Sequence, residues 1–440
     1  MSRPPKITNT KKPTQTQVAT LTQQALTFHQ QGNFDEAQAI YEKILLIQPN
    51  HFDALQLLGV LFAQVKKYSQ SVELLSKALE INPNHAGAYN NRGNALKELK
   101  RFDEALASYA QAIKVNPNLA TAHYNLSLCN LKKGNFSEGW EGYEYRWLDP
   151  QFDSEPLKSN KPAWDYQKTD KRLLVWAEQG VGDHIYYGSL LLELLEDVPH
   201  LLVQIDKRLI SIFTRSLPKI KFYAADFKLA ETDYDIHVPI GSLGKYLRND
   251  RKDFLRTKKR FLKDDELKTA EIKKDLMPLT PLNNKICGIS WRSLSQTTGI
   301  HKTISLKYFI KTLDLEGYTF VSLQYGDTKD EIQKVREELG VNIISYDQVD
   351  NFMDIDGLSS LIQACDTVIT IDNVTCQLAG ALGKETHILL SFDPWWLWMI
   401  EGNKSPWHPS LNLYRQEKID DWSGAFKKLK TEFKMIDELS

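Results

Sequence analysis

The sequence predicts a helical-repeat solenoid followed by a two-part α/β body built on parallel sheets. Prolines 49, 83 and 117 recur every 34 residues in the first third of the chain. From about residue 171, short apolar runs alternate with stretches of 3.6-residue period, the mark of parallel strands covered by helices. The 440 residues also exceed what one hydrophobic core organises, so more than one domain is expected.

Composition narrows the function. The chain is 42% hydrophobic and 25% charged with a net charge of -1, which gives no overall pull toward nucleic acid or an anionic membrane. Cys129, Cys287, Cys365 and Cys376 form no CxxC pair, so free buried thiols in a reducing compartment are expected. No apolar run approaches the ~18 residues needed to span a bilayer. The opening MSRPPKITNTKKPTQTQ lacks the apolar segment of a signal peptide; residues 1–16 read as a disordered arm. A cytoplasmic location is the corresponding expectation.

Residues 17–150 contain four related segments. GNFDEAQAIYEKILLIQPN, KKYSQSVELLSKALEINPN and KRFDEALASYAQAIKVNPN superimpose at their closing prolines, and GNFSEGWEGYEYRW keeps the frame without one. Gly59 and Gly93 fall at the tight crossing of two helices. Ala37, Ser71, Ala105 and Gly139 fill the matching small site, and Phe34, Tyr68, Phe102 and Phe136 one aromatic slot. The period and pattern resemble tetratricopeptide repeats, which stack into a superhelix able to hold extended peptides.

Asn91 and Asn125 recur at one position of the first helix, with Asn94 a turn beyond Asn91. They resemble the asparagine ladder of O-linked N-acetylglucosamine transferase repeats, because a carboxamide both donates to and accepts from a peptide backbone. The alternative is a solvated polar surface. Trp140, Tyr143, Tyr145 and Trp147 crowd the fourth copy, where burial against a following domain is expected.

Residues 151–170 are polar and proline-interrupted and read as a linker. Beyond it, strands are expected at 172–178, 200–206, 220–226 and 234–240, then at 285–291, 318–324, 341–347, 367–372 and 386–392. The simplest arrangement is two Rossmann-like halves, 171–284 and 285–440, facing one cleft. Between the two strand series, residues 245–263 carry nine Lys or Arg against Asp250 and Asp253. That run fits either a phosphate-binding patch or a solvated face.

Two strand-to-helix corners carry the candidate chemistry. In WAEQGVGDHIYYGSLL, Gly180 and Gly182 bracket a turn ending at Asp183, which reads as a helix cap or as a ligand-facing carboxylate. In TIDNVTCQLAGALGK, Asp372 and Asn373 stand where a strand ends and a small-residue helix begins. A helix N-terminus favours an anion, so a phosphate or a capping Asp372 fits there.

LLVWAEQGVGD, SLQYGD, TVITIDNVTCQLAGALGK, SPWHPSLNLYRQ and DWSG together resemble the heptosyltransferase-like glycosyltransferases, a GT-B family. The whole chain resembles bacterial tetratricopeptide-repeat proteins that end in such a domain. The resemblance implies transfer of a sugar from a nucleotide-sugar to an acceptor, with inversion and without metal or bound cofactor. It makes Asp183 the base, with Asp372, Asn373 and Val374 holding the donor diphosphate and ribose. Arg292 and Lys302 would offset diphosphate charge, and Gln324 would lie near the nucleotide.

Two positions depart from that pattern. Gln377 stands where the family has a histidine, and an amide cannot carry the positive charge of an imidazolium. DPWWLWM lacks the family's arginine; its Trp395, Trp396 and Trp398 suit either stacking on a base or sugar or a packed core. The acceptor is expected to be a protein recruited by the repeats. A glycan or lipid acceptor, or a non-catalytic scaffold, are the alternatives.

Overall fold

The computed structural model describes residues 15–150, 152–294 and 299–439. The arm expected over residues 1–16 lies, as far as residue 14, outside them. The chain forms two compact units, Met1–Asn130 with Gly142–Pro150 and Leu131–Glu141 with Gln151–Ser440.

The repeat helices are α1 (Gln15–Gln30), α2 (Phe34–Ile47), α3 (Phe52–Gln64), α4 (Tyr68–Ile81), α5 (Ala86–Glu98), α6 (Phe102–Val115), α7 (Ala120–Lys133) and α8 (Phe136–Tyr143). A Cβ at Gly59 would lie 2.8 Å from Leu75, and one at Gly93 2.5 Å from the Tyr109 ring, so both glycines permit close helix approach. The recurrent aromatics Phe34, Tyr68, Phe102 and Phe136 each begin the second helix of a pair. The turn before it uses a left-handed residue at the same repeat position, Gly32, Lys66, Lys100 and Gly134, with φ of +78°, +60°, +58° and +85°. His51 and His85, also 34 residues apart, cap α3 and α5 by accepting the Ala54 and Ala88 amides at 3.2 and 3.0 Å.

The second unit holds two parallel sheets. Strands β1 (Leu173–Trp176), β2 (Leu201–Ile205), β3 (Lys221–Ala224) and β4 (Ile236–Pro239) lie in the order β3-β2-β1-β4. Strands β5 (Lys285–Ser290), β6 (Tyr318–Ser322), β7 (Ile343–Ile344), β8 (Thr367–Ile371), β9 (Thr386–Leu390) and β10 (Leu411–Arg415) lie in the order β10-β9-β8-β5-β6-β7. Every pairing is parallel. Buried residues run the full length of β1, β2, β8 and β9, as expected of strands covered on both faces.

The remaining helices of this unit are α9 (Val181–Gly188), α10 (Leu191–Asp197), α11 (Ile210–Ser216), α12 (Leu243–Leu247), α13 (Glu266–Leu276), α14 (Gly299–Lys302), α15 (Leu306–Leu313), α16 (Lys329–Leu339), α17 (Ile355–Ala364), α18 (Val374–Ala381) and α19 (Ser423–Leu439). Ile289, Ile371 and Leu389 from the sheet share one core with Phe309 of α15 and Phe426 of α19.

Two features differ from the sequence expectation. The stretch read as a linker is tied down: Trp164 is buried, and its amide bonds the His237 carbonyl at 2.8 Å alongside β4. Part of the basic run is internal, since Arg248 is wholly buried and grips Glu193 with both terminal nitrogens. The expected burial of Trp140 is met: it lies within the α/β unit, where its indole donates to the Arg248 carbonyl at 2.7 Å.

Candidate functional site

In the six-stranded sheet the chain runs outward through β5, β6 and β7, then returns to place β8 on the other side of β5. Strand order therefore reverses between β5 and β8, and the carboxyl ends of such a pair open a crevice. Asn373, with extended backbone, caps α18 by accepting the Cys376 amide at 3.3 Å. Its Nδ2 donates to Ser290 Oγ at 2.7 Å, which joins the ends of β8 and β5. Asp372 is thus not the cap. Nearly buried, it takes the Lys302 ammonium at 2.8 Å.

The four-stranded sheet reverses between β1 and β4. Buried Glu178, just after β1, accepts the Gly241 amide beyond β4 at 2.6 Å. Gly180 is the N-cap of α9, and Asp183 is the third helical residue rather than the cap. One Asp183 oxygen accepts the Gly180 amide at 3.1 Å, and the other accepts the Tyr186 hydroxyl at 3.2 Å. Burial pushes the Asp183 carboxyl up to about 6 against those two donors, with the Glu178 charge adding to the rise. His184 Nδ1 accepts the Asp206 amide at 3.1 Å, so its Nε2–H is the one given to the Glu178 carbonyl at 3.1 Å.

These corners face one cleft of about 470 Å³. Gly180, Gly182, Asp183 and Tyr186 line it from one half, and Lys302, Asp372, Asn373, Val374 and Gln377 from the other. Burial pulls the Lys302 pKa down, but the Asp372 carboxylate outweighs it, with Cys376 and Asp183 adding, and the net shift is upward.

Arg292 and Gln324 are held elsewhere. Arg292 pairs with Glu331 and donates to the Asp327 carbonyl. Gln324 is buried, and its Oε1 accepts from Ser290 Oγ, Trp291 N and Arg292 N at 3.0, 2.9 and 2.9 Å. It stitches the end of β5 and borders a second cavity of about 560 Å³, beside Asn351 and Phe352.

Gln377 is buried, and its Oε1 accepts from His408 Nε2 at 3.1 Å. Burial pushes the His408 pKa down to about 3, so this imidazole is a neutral donor and restores no positive charge. Sequence reasoning passed over His408, whose only signal was its place in the motif SPWHPS. Trp395 lines the cleft, while Trp396 and Trp398 are core. Trp396 meets Trp140 and Trp407 edge-on, with ring centroids 5.4 and 6.0 Å apart.

In the repeat unit, Asn91 and Asn94 line a groove of about 320 Å³ together with Gln64, Tyr68 and Glu98. Asn94 also accepts the Tyr109 hydroxyl at 2.8 Å. Asn125 lies outside that groove's lining and donates to Asn90 at 3.0 Å, a bond between successive repeats.

The family models that match lie in the N-terminal region. Models described as tetratricopeptide repeat match residues 16–84 and 74–107, and one described as TPR repeat matches residues 93–134. Protein FlbA of Caulobacter vibrioides is 29% identical over 319 residues, covering 68% of this chain and 53% of that protein. The chain thus spans about half the length of that relative. MamA of Desulfovibrio magneticus RS-1 is similar at 21% identity over 30% of this chain and 72% of that structure, with a TM-score of 0.27. A second structure, titled crystal structure of MamA protein, gives 26% identity over 29% and 70%, with a TM-score of 0.28. Among the described residues, no helix is long and apolar enough to cross a membrane. The N-terminal region is therefore a run of tetratricopeptide repeats, and it precedes an α/β body of two parallel sheets.

Proposed function

We propose that the chain is a GT-B glycosyltransferase that moves a sugar from a nucleotide-sugar to an acceptor protein recruited by its repeats. The observation that carries this reading is the cleft itself. Asp183, a carboxylate with its pKa raised to about 6, shares it with the Lys302–Asp372 pair and the N-terminus of α18. At neutral pH Asp183 is ionised and able to take the proton from an acceptor hydroxyl as that oxygen attacks the sugar's anomeric carbon. The bond from that carbon to the phosphate oxygen breaks, and its electron pair leaves with the nucleotide. Lys302 and the first-turn amides of α18 would stabilise the departing phosphate. Attack opposite the leaving group inverts the anomeric centre.

The test is incubation of the full chain with UDP-, GDP-, ADP- and CMP-sugars, reading donor binding by calorimetry and donor breakdown by mass spectrometry. Binding of one donor, with breakdown abolished in Asp183→Asn, is expected. A protein that binds none of them is not a glycosyltransferase. A non-catalytic scaffold is the second reading, favoured by Gln377 and by Lys302 already being paired. It predicts donor binding with wild-type turnover no greater than that of Asp183→Asn.

A further inference from the structure

Lys132, on the last turn of α7, is 5% exposed, and a buried ammonium requires partners. It finds two on one loop, the Asp393 carboxylate and the Pro394 carbonyl, the latter at 2.6 Å. Its own carbonyl accepts the Ile400 amide at 3.1 Å. Lys132 therefore grips the 393–400 loop at both ends, and all of these residues lie in the second unit. Between the two grips, Trp395 and Leu397 line the cleft while Trp396 and Trp398 turn into the core. The grip fixes which side chains of this loop face the cleft.

We propose that Lys132 is a positioning residue that holds the Trp395 indole in the cleft as a platform for the apolar face of a sugar ring, an inference that rests on the glycosyl-transfer reading above. The facing groups Asp183, Lys302, Asp372 and Gln377 are all polar and suit hydroxyls and phosphate. A pyranose also carries a face of C–H bonds, and an indole is the side chain that matches it. Trp395 is a large aromatic plane on the cleft wall, and its loop is the one Lys132 anchors.

The experiment uses the full chain labelled with 5-fluorotryptophan, with the Trp395 fluorine resonance assigned from Trp395→Phe. Each nucleotide-sugar of the panel is compared with its free nucleotide. A bound donor is expected to move the Trp395 resonance further than the free nucleotide does. Lys132→Met and Asp393→Asn should shift and broaden that resonance without ligand and raise the donor KM about 3- to 10-fold at nearly unchanged kcat. Lys132→Arg, which keeps the charge, should restore most of both. An unmoved Trp395 resonance in Lys132→Met and in the milder Asp393→Asn overturns the positioning role. A donor that binds yet moves Trp395 no more than its nucleotide overturns the platform alone. Failure of every donor to bind overturns the transfer reading and the platform together, while leaving the effect of Lys132 on the loop measurable.

Discussion

The Lys302 ammonium lies 2.8 Å from the Asp372 carboxylate, at the point where the strand order of the six-stranded sheet reverses. Both groups are largely withdrawn from water, with side chains 19% and 9% exposed. Removing one partner leaves the other charge buried alone, a defect of about 3–5 kcal/mol, whereas removing both is nearly neutral. Lys302→Met should therefore lower stability to chemical denaturation by about 3 kcal/mol, and Lys302→Met combined with Asp372→Leu should recover most of it. A double-variant loss equal to the sum of the separate Lys302→Met and Asp372→Leu losses would mean that the pair contributes no coupling.

Asp183 combines a strained protonation state with the central place in the cleft. Its pKa rises from the ordinary 3.8 to about 6 on folding, so the folded chain binds the proton more tightly than the unfolded one. Stability contributed by this group is complete below the unfolded value and is lost as pH rises through about 6, a change of about 3 kcal/mol. Asp183→Asn should then be the more stable protein at pH 7.5. It should also lose donor turnover by about 10²-fold or more, and the wild-type rate should climb with pH to a plateau above about 6. A variant both weaker in stability and fully active would refute the assignment.

Three histidines work in the opposite direction. Burial pushes His184 down to about 4 and both His387 and His408 down to about 3, while the unfolded chain takes up these protons near 6.5. Their contribution is intact above 6.5 and falls as pH drops, by about 1.4 kcal/mol per pH unit for each group. Three such groups outweigh the single opposing slope of Asp183. Denaturation midpoints at pH 7.5, 6 and 5 should fall steeply, and His408→Phe should shallow the slope by about one histidine's share. A midpoint independent of pH over that range would contradict the burial of these rings.

The 34-residue period and nine strand positions were legible because both are patterns of apolar spacing, and apolar spacing is what packing selects. The two corners were legible for the same reason, since each directly follows an apolar strand. What sequence could not resolve was which of two adjacent polar residues does what. Asp372 and Asn373 both follow the strand and are both residue types that cap helices, but Asn373 directly precedes α18 and accepts the Cys376 amide, while Asp372 is taken by Lys302. Arg292 is drawn away by Glu331, 39 residues along, a pairing invisible to local pattern. Strand β10 was missed because its LNLYR mixes polar and apolar side chains at an edge. Lys132 gave no signal, because its partners lie 261 and 262 residues away.

Lys66 and Lys100 occupy the left-handed turn where the first and last copies use Gly32 and Gly134. A side chain in that conformation costs roughly 1–2 kcal/mol, and glycine removes the cost while losing some unfolded-state rigidity. Lys66→Gly and Lys100→Gly should each stabilise the protein by about 0.5–1 kcal/mol. Gly32→Lys should destabilise it by a similar amount, since a Cβ there meets nothing within 4 Å and the effect is purely conformational. Equilibrium denaturation of the three variants checks the sign.

The three asparagines of the repeats separate by what their amides already hold. Asn94 takes the Tyr109 hydroxyl and Asn125 ties its repeat to Asn90, so truncating either should weaken folding by about 0.5–1.5 kcal/mol. Among the described residues, no hydrogen bond within the protein occupies the Asn91 side chain, which lines the groove beside Gln64 and Glu98. Asn91→Ala should therefore leave the denaturation midpoint unchanged while weakening capture of a protein partner. The partner should be lost in Asn91→Ala at a temperature where circular dichroism finds the helices intact. If Asn91→Ala unfolds the repeats, or leaves partner binding unchanged while Asn94→Ala abolishes it, the groove does not read a backbone through Asn91.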